Sequence, residues 1–204
     1  MRVLLNGRGG KVGSVLAPAL EAAGHELVGG AGSAEGMLDF TRPDAVVPNV
    51  ESALEAGVPC VVGTSGLEEQ QNHIDEAARS AGLAVFYAPN FAVGAELMMR
   101  FAAEAVRHLP SAEIVELHHE AKLDAPSGTA KATARRMGGD VPIHSVRLPG
   151  LNAHQEVLLG GSGQLLTIRH DAYSREAYVP GVLLALDKLR TLPPGLTIGL
   201  DSLL

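Results

Sequence analysis

The sequence predicts an α/β chain in two parts, a parallel sheet wound by helices followed by an α+β part with a mixed sheet. Three observations carry this. As far as Tyr87, short apolar runs alternate with helical patterns. A glycine-rich turn joins the first strand to the first helix. After Pro110 the order changes to several strand-like runs with one helix among them.

Taken in order, Arg2–Asn6 reads as a strand buried on both faces, and Val12–Ala23 as a helix that stops at Gly24. Glu26–Gly29 is a second strand. After the glycine-rich stretch GAGSAEG, Met37–Phe40 starts another. Asp44–Ala56 is helical, Pro59–Gly63 a strand, Glu68–Ala81 a helix and Leu83–Tyr87 a strand. Val93–Leu109 is a long amphipathic helix that ends before Pro110. Ala112–His118 follows as a strand and Ser127–Met137 as a helix. Strand-like runs then cover Ile143–Leu148, Gln155–Leu159 and Leu165–His170. A last helix, Val182–Leu192, and a short strand at Leu196–Ile198 close the pattern.

Composition narrows the function classes. The 204 residues carry a net charge of −7, which argues against a sequence-independent nucleic-acid binder. Apolar residues make up 46% and aromatics 3%, with no Trp, so the core is expected from Val, Leu, Ala and Ile. No apolar stretch approaches the roughly 20 residues of a membrane helix. Nor do the first residues read as a signal peptide, so a cytoplasmic protein is expected. Cys60, inside the apolar run VPCVVG, reads as a buried thiol without a disulfide partner.

The turn Gly7-Arg8-Gly9-Gly10-Lys11-Val12-Gly13 sits where a dinucleotide pyrophosphate would lie, between an apolar strand and a helix N-terminus. Its glycines fit G-x-x-G-x-x-G at 7, 10 and 13, whereas G-x-G-x-x-G fails at Val12. A tight turn with no ligand is the plain alternative. The acid that usually follows the second strand, to hold the adenosine ribose, is missing before Glu35. Too few residues separate Gly30 from Met37 for a crossover helix, which takes about 10–12 residues or more. A helix and a strand of the usual adenosine side are therefore expected to be absent, giving a shortened Rossmann-like sheet.

In Glu116–Ala130, ELHHEAKLDAPSGTA, proton carriers precede a helix start. His118, His119 and Lys122 can transfer protons. Ser127 is a candidate N-cap, and the first turn through Gly128 and Thr129 suits a carboxylate. A solvated strand edge is the plain alternative for the histidine pair. His118, His119, Glu120 and Asp124 offer a metal set, but no second cluster with ligand spacing accompanies them, so no metal is expected.

This segment resembles the pattern of the dihydrodipicolinate (4-hydroxy-tetrahydrodipicolinate) reductase family, E-x-H-H-x-x-K-x-D-A-P-S-G-T-A. The glycine turn, DFTRP at 39–43, GVPCVVGTSG at 57–66 and APNF at 88–91 are similar as well. The resemblance implies hydride transfer from NADH or NADPH to a small cyclic dicarboxylate with loss of water, in lysine and diaminopimelate biosynthesis. It implies His118 and Lys122 as proton-transfer residues, and His119, Ser127, Gly128 and Thr129 at the substrate carboxylates. Gly7, Arg8, Gly9, Gly10, Lys11 and Val12, then Gly63, Thr64 and Ser65, and Ala88, Pro89, Asn90 and Phe91 match cofactor-binding stretches. Also implied are a homotetramer and two domains: 1–91 with 180–204 for the dinucleotide, 92–179 for substrate and assembly. Two other classes remain at this point. One is a nucleotide sensor without chemistry, the other a different oxidoreductase on the same scaffold.

Overall fold

Residues 1–109 and 111–204 are described in the computed structural model; Pro110 lies outside them. The chain divides into two compact units, Met1–Phe91 with Tyr178–Leu204, and Ala92–Ala177.

The first unit holds a six-stranded parallel sheet. Its strands are β1 (Arg2–Asn6), β2 (Glu26–Val28), β3 (Gly36–Asp39), β4 (Cys60–Val62), β5 (Ala84–Tyr87) and, from the far end of the chain, β10 (Gly195–Ile198). The order is β10-β5-β4-β3-β1-β2. Helices α1 (Gly13–Ala22), α2 (Pro43–Glu55), α3 (Gln71–Ala81) and α6 (Val179–Lys188) connect and cover it. Because the chain leaves β1 for β2 on one side and returns to β3 on the other, the strand order reverses between β1 and β3. In sheets of this kind ligands bind outside the C-terminal strand ends at that reversal.

The expected shortening is present. A single 3-10 turn, Ala31–Ser33, carries the chain from β2 to β3 where a helix and a strand would usually intervene. One departure from expectation lies in β1. Val3 and Leu5 are buried, but Leu4, on the other face of β1, is only half-buried. Leu4 and Ala34 border the cluster formed by Met37, Val46, Val50, Cys60 and Val85. The core also departs from a purely aliphatic one. Phe86, Tyr87 and Phe91 are buried, with Phe91 packed on Phe40 and Phe86 at centroid distances of 5.5 and 6.0 Å. Cys60 is buried and free, as expected.

The second unit holds a four-stranded mixed sheet in the order β7-β6-β8-β9. Its strands are β6 (Ser111–His118), β7 (Ile143–Arg147), β8 (Ala153–Gly161) and β9 (Gln164–Ala172). β7 runs parallel to β6, while β8 and β9 are antiparallel neighbours. Helices α4 (Val93–Ala105) and α5 (Gly128–Arg136) pack around Ile114, Val157 and Leu159 through Met98, Met99, Ala102 and Ala130. α4 ends four residues earlier than its sequence suggests, because Arg107 and His108 bond to carbonyls three residues back and tighten the chain into a turn. β8 and β9 run longer than their apolar cores, joined at Ser162–Gly163 with Gly163 at φ +71°.

Candidate active site

In the first unit, three loops leave the C-terminal ends of β1, β4 and β5, with β3 between β1 and β4. Gly7 turns the chain after β1 at φ +82°, and a Cβ there would stand 2.3 Å from the Phe40 carbonyl oxygen. One on Gly13 would stand 2.1 Å from the Gly7 carbonyl oxygen. These approaches explain the glycines at 7 and 13: the turn must lie flat against β3, and α1 must lie against the turn. The amides of Arg8, Gly9, Lys11 and Val12 make no hydrogen bond among the described residues. Gly9 has open space where a side chain would project. Free amides ahead of a helix N-terminus form a cradle that fits the pyrophosphate of a dinucleotide.

Phe40 links that turn to the other two loops. Its ring lies where a Gly63 Cβ would be, 2.1 Å from a ring carbon, and packs on Phe91. Beneath it, buried Asp39 accepts from Thr41 N (3.1 Å), Thr41 Oγ1 (2.7 Å), Thr64 Oγ1 (3.0 Å) and Asn49 Nδ2 (2.7 Å). Of the residues matched to cofactor-binding stretches, Ala88 and Phe91 turn into the core and Thr64 is buried. Ser65 and Pro89 are exposed, and Asn90 is half-buried. The first acid after β2 lies elsewhere. Glu35 accepts from the Arg2 amide at 2.7 Å and from Arg190 at 3.2 Å, at the start of β1, the end opposite the glycine turn. Those bonds, the Arg2 amide foremost, hold its carboxyl below the usual range.

The second unit centres on Glu116, whose side chain is fully buried near the end of β6. Arg147, at the end of β7, grips it with two nitrogens, Nη2 to Oε1 at 2.8 Å and Nη1 to Oε2 at 3.0 Å. Oε2 also meets His118 Nδ1 at 2.5 Å, and Oε1 accepts from the Ser127 amide at 3.3 Å. Burial alone would raise the Glu116 pKa; the hydrogen bonds from Arg147, Ser145 and His118 outweigh it and bring it to about 2. Burial likewise lowers the His118 pKa, with Glu116 opposing.

The loop between His118 and α5 completes the cluster. Lys122 Nζ donates to Asp124 Oδ1 at 2.7 Å, and Arg147 Nη2 donates to the Asp124 carbonyl at 2.8 Å. The Lys122 bond, above all, lowers the Asp124 carboxyl pKa. Ser127 caps α5, its hydroxyl accepting from the Ala130 amide at 3.2 Å. His119 and Gly128 are exposed and Thr129 is half-buried. Among the described residues no three His, Cys, Asp or Glu side chains group closely enough to hold a metal.

His118 and Ser127 therefore come together around Glu116, while Lys122 pairs with Asp124, whose carbonyl Arg147 holds. Glu116 stands in the sequence pattern without a role of its own, and sequence reasoning passes over Arg147 altogether. A lone arginine ending an apolar strand is the available signal, but only the β6–β7 register, His118 beside Arg147, gives it meaning.

Comparison with known proteins finds one family along most of the chain. Residues 30–91 match the family model described as dihydrodipicolinate reductase, N-terminus, and residues 94–204 the one described as its C-terminus. The 4-hydroxy-tetrahydrodipicolinate reductase of Desulfitobacterium hafniense is 49% identical over 194 residues, covering 82% of this chain and 72% of that protein. That of Mycolicibacterium gilvum is 42% identical over 246 aligned positions, covering 100% and 99%. A dipicolinate-bound dihydrodipicolinate reductase from Paenisporosarcina superposes with a TM-score of 0.86 at 31% identity, covering 100% of this chain and 99% of that one. Matched along most of its length by both models, the chain belongs to the dihydrodipicolinate reductase family.

Proposed function

We propose that this protein reduces 4-hydroxy-tetrahydrodipicolinate to tetrahydrodipicolinate, as a reductase of lysine and diaminopimelate biosynthesis. The observation that carries the reading is the convergence of His118 and the capped start of α5 on the Glu116–Arg147 pair, with Lys122 tied to it through Asp124. A hydride and one proton enter and water leaves. NADH or NADPH, when bound, supplies the hydride.

The chain's own groups do the rest. The Gly7–Val12 amides cradle the diphosphate, and the Gly63–Ser65 and Ala88–Phe91 loops flank the nicotinamide half. In the second unit, His119 and the Ser127–Thr129 turn hold a substrate carboxylate; that a similar reductase binds dipicolinate, a small dicarboxylate, supports this. Lys122 delivers a proton to the substrate, and His118 exchanges one at its free ring nitrogen. The first unit is thus the dinucleotide-binding domain, and the second the domain for substrate and assembly.

Homotetramer formation through the second sheet belongs to the same proposal. α4 and α5 cover one face of that sheet, while the other carries half-exposed Val115, Leu117, Val146 and Leu158 beside exposed Leu165. No helix is long and apolar enough to cross a membrane among the described residues.

Substrate-dependent oxidation of NADH or NADPH by the purified protein tests the reaction. His118→Gln and Lys122→Ala should each lower kcat by about 10²–10⁴-fold, the usual worth of positioned acid–base help. Absence of turnover in the wild type, or full activity in both variants, would end the proposal. Sedimentation of the same preparation reads the tetramer.

A further inference from the structure

Glu116 is not placed to touch a substrate. Both of its oxygens are occupied inside the protein: two bonds come from Arg147, one from His118 and one from the Ser127 amide, with the Ser145 side chain beside them. A carboxylate that Arg147 keeps ionised can only accept from an imidazole. Nδ1 of His118 must then carry the hydrogen, and Nε2 is left as the exchanging nitrogen. The same carboxylate reaches the first residue before α5, so one side chain sets both the histidine's tautomer and its register with the helix start.

We propose that Glu116 and Arg147 are positioning residues for proton transfer: Arg147 clamps Glu116, and Glu116 fixes His118 as the Nδ1–H tautomer with Nε2 aimed away from the hub. This rests on the reading of His118 as a proton-transfer residue. Lys122, from the loop after β6, also acts on His118, but it pairs with Asp124 rather than with the ring. Arg147 approaches from β7, and the β8 neighbour in register is the uncharged Ala153. Glu116 is therefore the group that decides the tautomer.

Nitrogen NMR of the histidine-labelled whole protein, taken without substrate or cofactor, reads the tautomer directly. The wild type should show neutral His118 protonated at Nδ1. In Glu116→Gln the amide cannot accept from both the ring and the arginine fork, so the Nε2–H form should gain population. Its kcat should fall about 10²-fold, at the lower end of the acid–base range, with KM changed less. Arg147→Lys, which keeps the charge and loses the fork, should fall between the two.

An Nε2–H tautomer in the wild type overturns the proposal, as does a Glu116→Gln protein with unchanged tautomer and kcat. If Glu116→Gln does not fold, the wild-type spectrum and Arg147→Lys decide the matter. An inactive wild type with the Nδ1–H tautomer would count against the proposed reaction and leave the positioning role standing.

Discussion

At the scale of single residues, Glu116 ties stability to function. Its pKa falls from 4.5 to about 2 on folding, a difference worth about 3 kcal/mol. The pKa is depressed, so this stability is fully present above 4.5 and is lost as pH falls toward 2. Glu116→Gln has no such proton to take up. The stability gap between wild type and Glu116→Gln should therefore narrow by roughly 3 kcal/mol as pH falls from 4.5 to 2. Denaturant melts at several pH values measure this, and a constant gap would contradict it. His118 and Lys122, the proposed proton carriers, are legible in the sequence because they crowd one segment with a helix cap. Arg147 is not, since β7 pairs with β6 only in three dimensions, and nothing local distinguishes it from a surface arginine. Phe40 is hidden likewise: its ring fills the space over Gly63, a contact between strands distant in sequence.

Among elements, the turn from β1 into α1 shows how far glycine spacing can be read. Positions 7, 10 and 13 stand out by pattern, and the structure gives 7 and 13 their cause in backbone approaches that no Cβ can meet. Gly13→Ala would place a methyl 2.1 Å from the Gly7 carbonyl oxygen, so α1 has to retreat from the turn. Overpacking of this kind typically costs about 1–3 kcal/mol. The free amides would move with the turn, and NADH affinity should weaken by about tenfold or more, each tenfold being about 1.4 kcal/mol. Titration calorimetry or the fluorescence of bound NADH reads this without turnover, and an unchanged affinity would show that the turn does not hold the cofactor. Element types are legible wherever periodicity is strong, as in β1, α3 and β6. Element ends are less so, because the tight turn after α4 and the length of the β8–β9 hairpin depend on hydrogen bonds between residues rather than on apolar spacing.

Over the whole molecule, the feature that departs from the family is length. The alignment with the Mycolicibacterium gilvum relative covers 246 positions against 204 residues here, leaving about 42 positions of that relative without a counterpart. In this chain β2 is an edge strand followed only by Gly29, Gly30 and the Ala31–Ser33 turn. Dinucleotide folds separate NAD from NADP at that place, with an acid on the ribose 2′-hydroxyl or an arginine at the 2′-phosphate. Neither stands there. Glu35 is spent on the Arg2 amide and Arg190 at the opposite end of β1, and Arg8 lies 3.5 Å from Glu21. The glycine turn and the loops after β4 and β5 remain, and in the proposed function these meet parts common to both cofactors. NADH and NADPH should therefore bind with dissociation constants within about tenfold of each other, a difference under about 1.4 kcal/mol. Parallel calorimetric titrations decide it: a preference of a hundredfold or more for either would mean that a side chain outside the β2 end reads the 2′ position.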